Sequence, residues 1–298
     1  MRVAYHPSYS HPLPMGHRFP MAKYELLAGQ LQHEGLVETT HWLTPTPIEC
    51  AAVFDAHDAD YIDQLEKGLW SRKEELRSGF PWSLQLIERE KIIMEGTRQC
   101  AQWAAQGHVA LNIAGGTHHA CRGHAEGFCL LNDLAISAYD LISAGLERIL
   151  IIDLDVHQGN GTAHITGMDS RIFTFSMHGA KNYPMKKPPS SLDISLPDGT
   201  KDRPYLRALK EALDHILPTF DPQVALYQCG VDVLESDKLG RLSMSLDGCA
   251  ERDALVLMAC QQHGIGVACA MGGGYSEDTQ TIVKAHMNTF RTAREIWT

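Results

Sequence analysis

Five short apolar runs, at 109–114, 149–156, 172–177, 224–229 and 266–271, constrain this chain more than any other feature. Each is bounded by turn residues, too short for a core helix and apolar at nearly every position, so each reads as a strand buried on both faces. Between them the apolar spacing turns helical, at 131–144, 160–166, 205–217 and 250–263. Strand and helix in alternation predict an α/β protein, a parallel sheet with helices on both of its faces. Upstream, 2–5 reads as one more strand, and 21–33, 56–66 and 86–105 as helices, whereas 71–83 and 183–191 read as polar or Pro-rich loops. No linker, repeat or low-complexity tract interrupts the 298 residues. The expectation is one domain over 1–298, a size that open α/β sheets reach on a single core.

In an open parallel sheet, ligands bind beyond the carboxyl ends of the strands, where the loops converge. The residues just after each run are therefore diagnostic. Gly115 and Gly116 lead into His118 and His119, and the second run carries Asp153, Asp155 and His157. His178 comes after the third run, Gly230 and Asp232 after the fourth, and Gly272, Gly273 and Gly274 lead to Tyr275. Residues two apart on a strand share a face, so Asp153, Asp155 and His157 are expected to align. Asp155, His157 and Asp232 supply two carboxylates and an imidazole, a three-ligand set that leaves the fourth position of a zinc ion for water. Asp153, further inside, suits an acceptor that orients a histidine. One of the paired histidines would take a proton from water and return it to a leaving amine. Tyr275, reached through three glycines, is placed to donate to a carbonyl oxygen that becomes an oxyanion.

Charge and cysteine usage narrow the partners. Lys plus Arg is 26 against 36 for Asp plus Glu, a formal charge of −10. That balance disfavours nucleic acid, whose affinity comes mostly from neutralised phosphates, and suits a cationic substrate better. The start of the chain lacks a secretory pattern, and nowhere are there about 18 successive apolar residues, so a cytoplasmic protein with no membrane partner is expected. The eight cysteines are scattered without a C-x-x-C pair and read as reduced. Among them Cys129 reads as a small buried thiol. Sixteen histidines are the compositional oddity. His6, His11 and His17 either border a pocket mouth or lie on the surface, His178 is a site neighbour or a loop contact, and Lys186 and Lys187 belong to a solvated loop.

The motifs GGTHHA at 115–120, GFC at 127–129, IDLDVHQGNG from Ile152, GVD at 230–232 and GGGY at 272–275 resemble, in order and spacing, the zinc-dependent histone deacetylase superfamily. HPLPMGHRFPMAKY and DKLGRLSMS are similar to the class IV deacetylases and their bacterial relatives. The resemblance implies the arginase-deacetylase fold, a single parallel β-sheet of about eight strands flanked by helices, with the site in a narrow tunnel at the strand ends. It implies that Asp155, His157 and Asp232 bind zinc, that His118 and His119 are the tandem histidines, the second being the general base and acid, and that Tyr275 polarises the amide carbonyl. Phe128 matches a tunnel wall, with Gly127 and Gly273 among the substrate-contacting positions, and Arg18 matches an arginine on the acetate-exit side. A potassium ion is implied at Asp153, Asp155, His157, Ser176 and Met177, partly through backbone oxygens. One departure stands out. Asp153 keeps the acid that pairs with His118, but Asn160 stands where many members have an Asp beside His119. An amide oxygen accepts the imidazole proton yet brings no charge to hold an imidazolium, so His119 is expected to be less basic than in those members.

The reaction so implied is hydrolysis of an acyl amide, acetyl or longer, on lysine or a related small amine such as a polyamine. A same-fold ureohydrolase with two manganese ions and a catalytically silent binder of acyl-lysine or polyamine are the rival readings. Acyl length, physiological substrate, any involvement of histones and oligomeric state are left open by the sequence.

Overall fold

The computed structural model describes residues 1–297. Eight strands are formed among them: β1 (Arg2–Ala4), β2 (Trp42–Leu43), β3 (Val109–Asn112), β4 (Ile149–Asp153), β5 (Ile172–Gly179), β6 (Leu192–Leu196), β7 (Val224–Gln228) and β8 (Gly266–Ala270). All pair in parallel, in the order β2-β1-β3-β8-β7-β4-β5-β6. The four strands whose ends carry the glycine-histidine, aspartate and tyrosine motifs, far apart in sequence, are thus neighbours at the centre of the sheet. Their ends are also level. Asn112 pairs with Ala270, Ala270 with Gln228, and Gln228 with Asp153, so four loops leave the sheet from one row, while β5 pairs Ser176 with Asp153 and runs on to Gly179.

Side-chain alternation explains why the runs are apolar throughout. On β4, Ile149 and Ile151 pack with Ala101, Ala104, Leu134 and Leu141 of helices Leu84–Ala104 and Asp133–Ser143. Leu150 and Ile152 face the opposite layer, with Leu209, Leu213, Val256 and Phe290 of helices Asp202–Phe220, Leu246–Gln262 and Thr279–Ile296. A strand covered on both faces has no polar side to show.

Several expectations shift. Asp155 and His157 lie beyond β4 in a bend, not on the strand, because the Asp153 carboxylate takes the N–H of Asp155 (3.2 Å) and the Asp155 carboxylate takes that of His157 (3.0 Å). Such short-range carboxylate bonds compete with the ladder and end it. His178 lies inside β5. The 71–83 stretch holds a helix, Arg72–Ser78, started by a capping box between Ser71 and Glu74. Strands β2 and β6 and the helices Ala52–Ala56 and Thr279–Ile296 complete the fold where no element was expected. Among the described residues no helix is long and apolar enough to cross a membrane.

Candidate active site

The bend after β4 brings Asp155 and His157 to Asp232, which lies just past β7. His157 Nδ1 lies 3.0 Å from Asp155 Oδ1 and 3.1 Å from Asp232 Oδ2, and the trio is buried to nine-tenths or more. The outer oxygens are already engaged. Asp155 Oδ2 accepts from the Gln228 amide (2.7 Å) and the Gly273 N–H (3.0 Å), and Asp232 Oδ1 accepts from the Val156 N–H (2.9 Å). One oxygen of each carboxylate is therefore left facing the imidazole. Burial, reinforced by Asp155, pushes the Asp232 carboxyl up to about 7. Burial opposes charging His157, but the two carboxylates outweigh it and hold the ring up to about 10. Two buried carboxylates at one point require added positive charge, which a proton or a cation supplies. Nitrogen and oxygen donors converging on one point fit a zinc-type cation, and the three ligating atoms lie within 4.8 Å of one another. The Gly273 loop packs so tightly here that a Cβ at Gly273 would clash with both the Asp232 and Asp155 carboxylates.

His118 and His119 occupy a turn after β3, their ring centroids 4.1 Å apart, but their Nδ1 atoms have different partners. His118 Nδ1–H donates to Asp153 Oδ2 at 2.6 Å. Burial disfavours its charge, but Asp153 and then Asp155 prevail and raise it to about 9. His119 Nδ1–H donates to Asn160 Oδ1 at 2.5 Å. Burial, then the charges of His118 and His157, drive its pKa well below the ordinary value, and the neutral Asn160 does not offset them. Near neutral pH, His118 is a cation and His119 a neutral ring whose Nε2 keeps its lone pair.

Tyr275 closes the opposite side. Burial, with Asp155 and Asp232 nearby, holds its phenol well above the ordinary value, so it stays a proton donor. Its backbone N–H is fixed by Asp237 Oδ2 (2.6 Å). Phe128, at φ +67°, has its N–H bound to the Ser78 carbonyl (2.7 Å) and its ring 5.9 Å from that of Tyr275. Gly127 has φ +54°, and a Cβ there would stand 2.7 Å from His119 Cδ2. A small inner space of about 40 Å³ lies against His118, His119, Asp155 and Tyr275, with Tyr24 and Arg89 among its other walls. An outer cavity of about 490 Å³ shares His119, His157, Phe128 and Tyr275 with it and opens to the surface.

Arg18 lines that outer cavity and not the inner space, its guanidinium carbon 5.1 Å above the Phe128 ring. Chain entry at the mouth leaves it exposed, whereas Arg89 is buried at the inner end and donates to the Tyr9 carbonyl (2.7 Å). Ser176 sits opposite Asp153 in the sheet, with buried Met177 next to it in the chain. His178 bonds Ser176 Oγ (3.0 Å) and Ser195 Oγ (3.1 Å), a packed sheet residue that burial lowers to about 4. His17 stacks on Phe80 near the mouth, His11 is buried against the same ring, and His6 accepts from the Ser8 N–H. Cys129 is buried, its thiol donating to the Gly127 carbonyl (3.4 Å).

Sequence reasoning missed four supports, of which Gln228, Lys23 and Arg252 are buried and Asp237 is half-buried. Gln228 braces Asp155, Asp237 anchors Tyr275, and Lys23 Nζ donates to the Gly272 carbonyl (3.0 Å). Arg252 donates to the Gly230 carbonyl (2.6 Å) beside Asp232. Gln228 had one signal, a polar residue closing an apolar run one step before Cys229.

The family model described as histone deacetylase domain matches residues 17–290. An uncharacterized protein of Picosynechococcus is 42% identical over 99% of this chain and 99% of its own length. Histone deacetylase 2 of Arabidopsis thaliana is 26% identical over 90% of this chain and 72% of its length. Among solved structures, an HDAC homolog complexed with SAHA superposes with a TM-score of 0.86 at 24% identity, over 99% of this chain and 84% of that one. The HDAC homolog from Aquifex aeolicus gives 0.86 at 24% identity, over 98% and 83%.

Proposed function

Because the chain belongs to the histone deacetylase family, we propose that it is a zinc-dependent amide hydrolase that removes an acyl group from the amine of lysine or a related small amine. The observation that carries this reading is the pairing of His118, bonded to the Asp153 carboxylate, with His119, bonded to the neutral Asn160 amide, beside the Asp155, His157 and Asp232 trio. Zinc held by that trio supplies Lewis-acid polarisation of the carbonyl and a more acidic water. His119, neutral and with a free Nε2, takes the proton of the attacking water and returns it to the leaving amine. His118, a fixed cation tied to Asp153, stabilises negative charge as it develops, and the Tyr275 phenol donates to the oxyanion. Phe128 and Gly127 wall the approach, and the inner space of about 40 Å³ suits a short acyl group. On this reading residues 1–298 form one catalytic domain, at work in the cytoplasm, which the eight free cysteines support. A potassium ion beside Asp153, Asp155, His157, Ser176 and Met177 is part of the same proposal, supported by the register that sets Asp153 against Ser176.

A fluorogenic acetyl-lysine assay with and without chelator, together with a metal count, tests the reading. One zinc per chain and chelator-sensitive turnover are expected. Two manganese ions per chain would replace it with a ureohydrolase, and metal-loaded protein without turnover would make it a binder.

Two variants probe His119. Asn160→Asp places an anion on Nδ1, favours the imidazolium and raises the pKa of the base. The base works only when neutral, so the acidic limb of the kcat/KM profile is expected to move to higher pH; an unmoved limb removes Asn160 from the tuning of His119. Gly127→Ala pushes a methyl into the His119 ring and strains a left-handed residue, at about 1–2 kcal/mol of stability. Displacing the base by up to about 1 Å should lower kcat by up to roughly 10²-fold with metal content unchanged, as read by single-turnover kinetics and elemental analysis.

A further inference from the structure

The mouth of the site is basic in a chain whose formal charge is −10. Arg18, Arg77, Lys181 and Arg241 line the outer cavity, against one lining carboxylate, Glu126. Glu126 is engaged by His124 Nε2 at 3.2 Å. Behind the wall, the Asp198 carboxylate is divided between Arg241 (3.3 Å) and Lys181 (3.7 Å), one anion for two cations. Among the described residues, neither Arg18 nor Arg77 has an ion pair. Arg18 lies over Phe128, and of the two acids on the helix of Arg77, Glu75 pairs with Arg72 (2.9 Å) and Glu74 is turned back to the Ser71 N–H (2.6 Å). The mouth is therefore locally positive although the net charge of the chain is negative.

Resting on the hydrolase reading above, we propose that the amine half of the substrate carries carboxylate groups next to the acylated nitrogen, and that the mouth selects against acylated polyamines and basic peptide flanks. With the carbonyl at His119 and Tyr275, both of which line the outer cavity, the leaving amine extends past Phe128 into the ring of four cations. A carboxylate there meets guanidinium groups with donors to spare, whereas an ammonium meets like charge. Exposed charges act mainly on encounter, so the preference belongs in kcat/KM and weakens with salt.

The test compares zinc-loaded protein on acetyl-lysine peptides flanked by Glu, by Gly or by Lys, on Nα,Nε-diacetyl-lysine with its carboxylate free or amidated, and on N-acetylspermidine. The Glu-flanked peptide is expected to exceed the Lys-flanked one by about tenfold in kcat/KM at low ionic strength, with the ratio falling toward unity near 1 M salt. Arg77→Glu combined with Arg241→Glu should invert that ratio. A free-acid diacetyl-lysine better than the Glu peptide would make the source a small acid, and the reverse would make it an acidic protein segment; both support the proposal. Equal rates on all flanks, or a preference for N-acetylspermidine, overturn the charge preference alone. No turnover of any of these substrates overturns the hydrolase reading and the preference with it.

Discussion

Asp232→Asn should strip the divalent cation from this protein and lower kcat/KM by at least about a thousandfold. The loss comes from the two tasks of the carboxylate. Its Oδ1 accepts the Val156 N–H and its Oδ2 faces His157, so the amide of Asn preserves the backbone bond while removing one of two anionic donors at the cation site. Lewis-acid assistance is worth several kcal/mol of barrier, and each 1.36 kcal/mol is tenfold in rate. Stability should respond in the opposite sense to activity when no metal is present. In the wild type, burial and the neighbouring Asp155 push the Asp232 carboxyl up to about 7, a sign of two anions forced together. The variant removes that repulsion, so metal-free Asp232→Asn should be at least as stable as metal-free wild type. Zinc at a thousandfold excess over its Kd should stabilise the wild type by about 4 kcal/mol and leave the variant unmoved. Calorimetry with and without zinc, beside elemental analysis, reads both effects. A variant that keeps one zinc per chain and full turnover would remove Asp232 from the cation site.

The same carboxylate shows what was legible in the sequence. Strand runs buried on both faces announce themselves as unbroken apolar segments, and polar residues at their ends point to the loops, so β3, β4, β7 and β8 and their motifs could be read directly. Edge strand β6 could not. Its Leu192, Ile194 and Leu196 alternate with Asp193 and Ser195 over only five residues, too little to stand out from a Pro-rich loop. The helix Arg72–Ser78 is amphipathic only weakly, and its one strong signal is the Ser71 to Glu74 box. The site residues missed, Gln228, Asp237, Lys23 and Arg252, matter through partners distant in the chain, 73 residues away for Gln228 and 249 for Lys23. Periodicity carries no record of such partners. Net charge is silent for a related reason, since a sum over the chain is blind to four cations gathered at one opening.

The phenol of Tyr275 offers the cleanest separation of chemistry from structure, because the ring is held by contacts that do not involve its oxygen. The backbone N–H is fixed by Asp237, the preceding Gly272 carbonyl by Lys23, and the ring lies against Phe19 and Phe128 at centroid distances of 6.2 and 5.9 Å. Tyr275→Phe should therefore leave the loop, the cation content and substrate binding in place. The substitution deletes one donor, kept protonated by burial and by the adjacent Asp155 and Asp232, whose pull on a developing oxyanion strengthens in a dry site. Loss of such a donor costs about 2.7–4 kcal/mol, so kcat should fall by roughly 10²–10³-fold with KM near the wild-type value. Asp237→Ala is the companion variant. It keeps the hydroxyl but releases the backbone that aims it, and should raise KM as well as lower kcat. Undiminished turnover in Tyr275→Phe would take the phenol out of the mechanism and leave oxyanion stabilisation to His118 and the cation, whereas a fall in zinc content would recast the residue as a support of the Asp155, His157 and Asp232 trio.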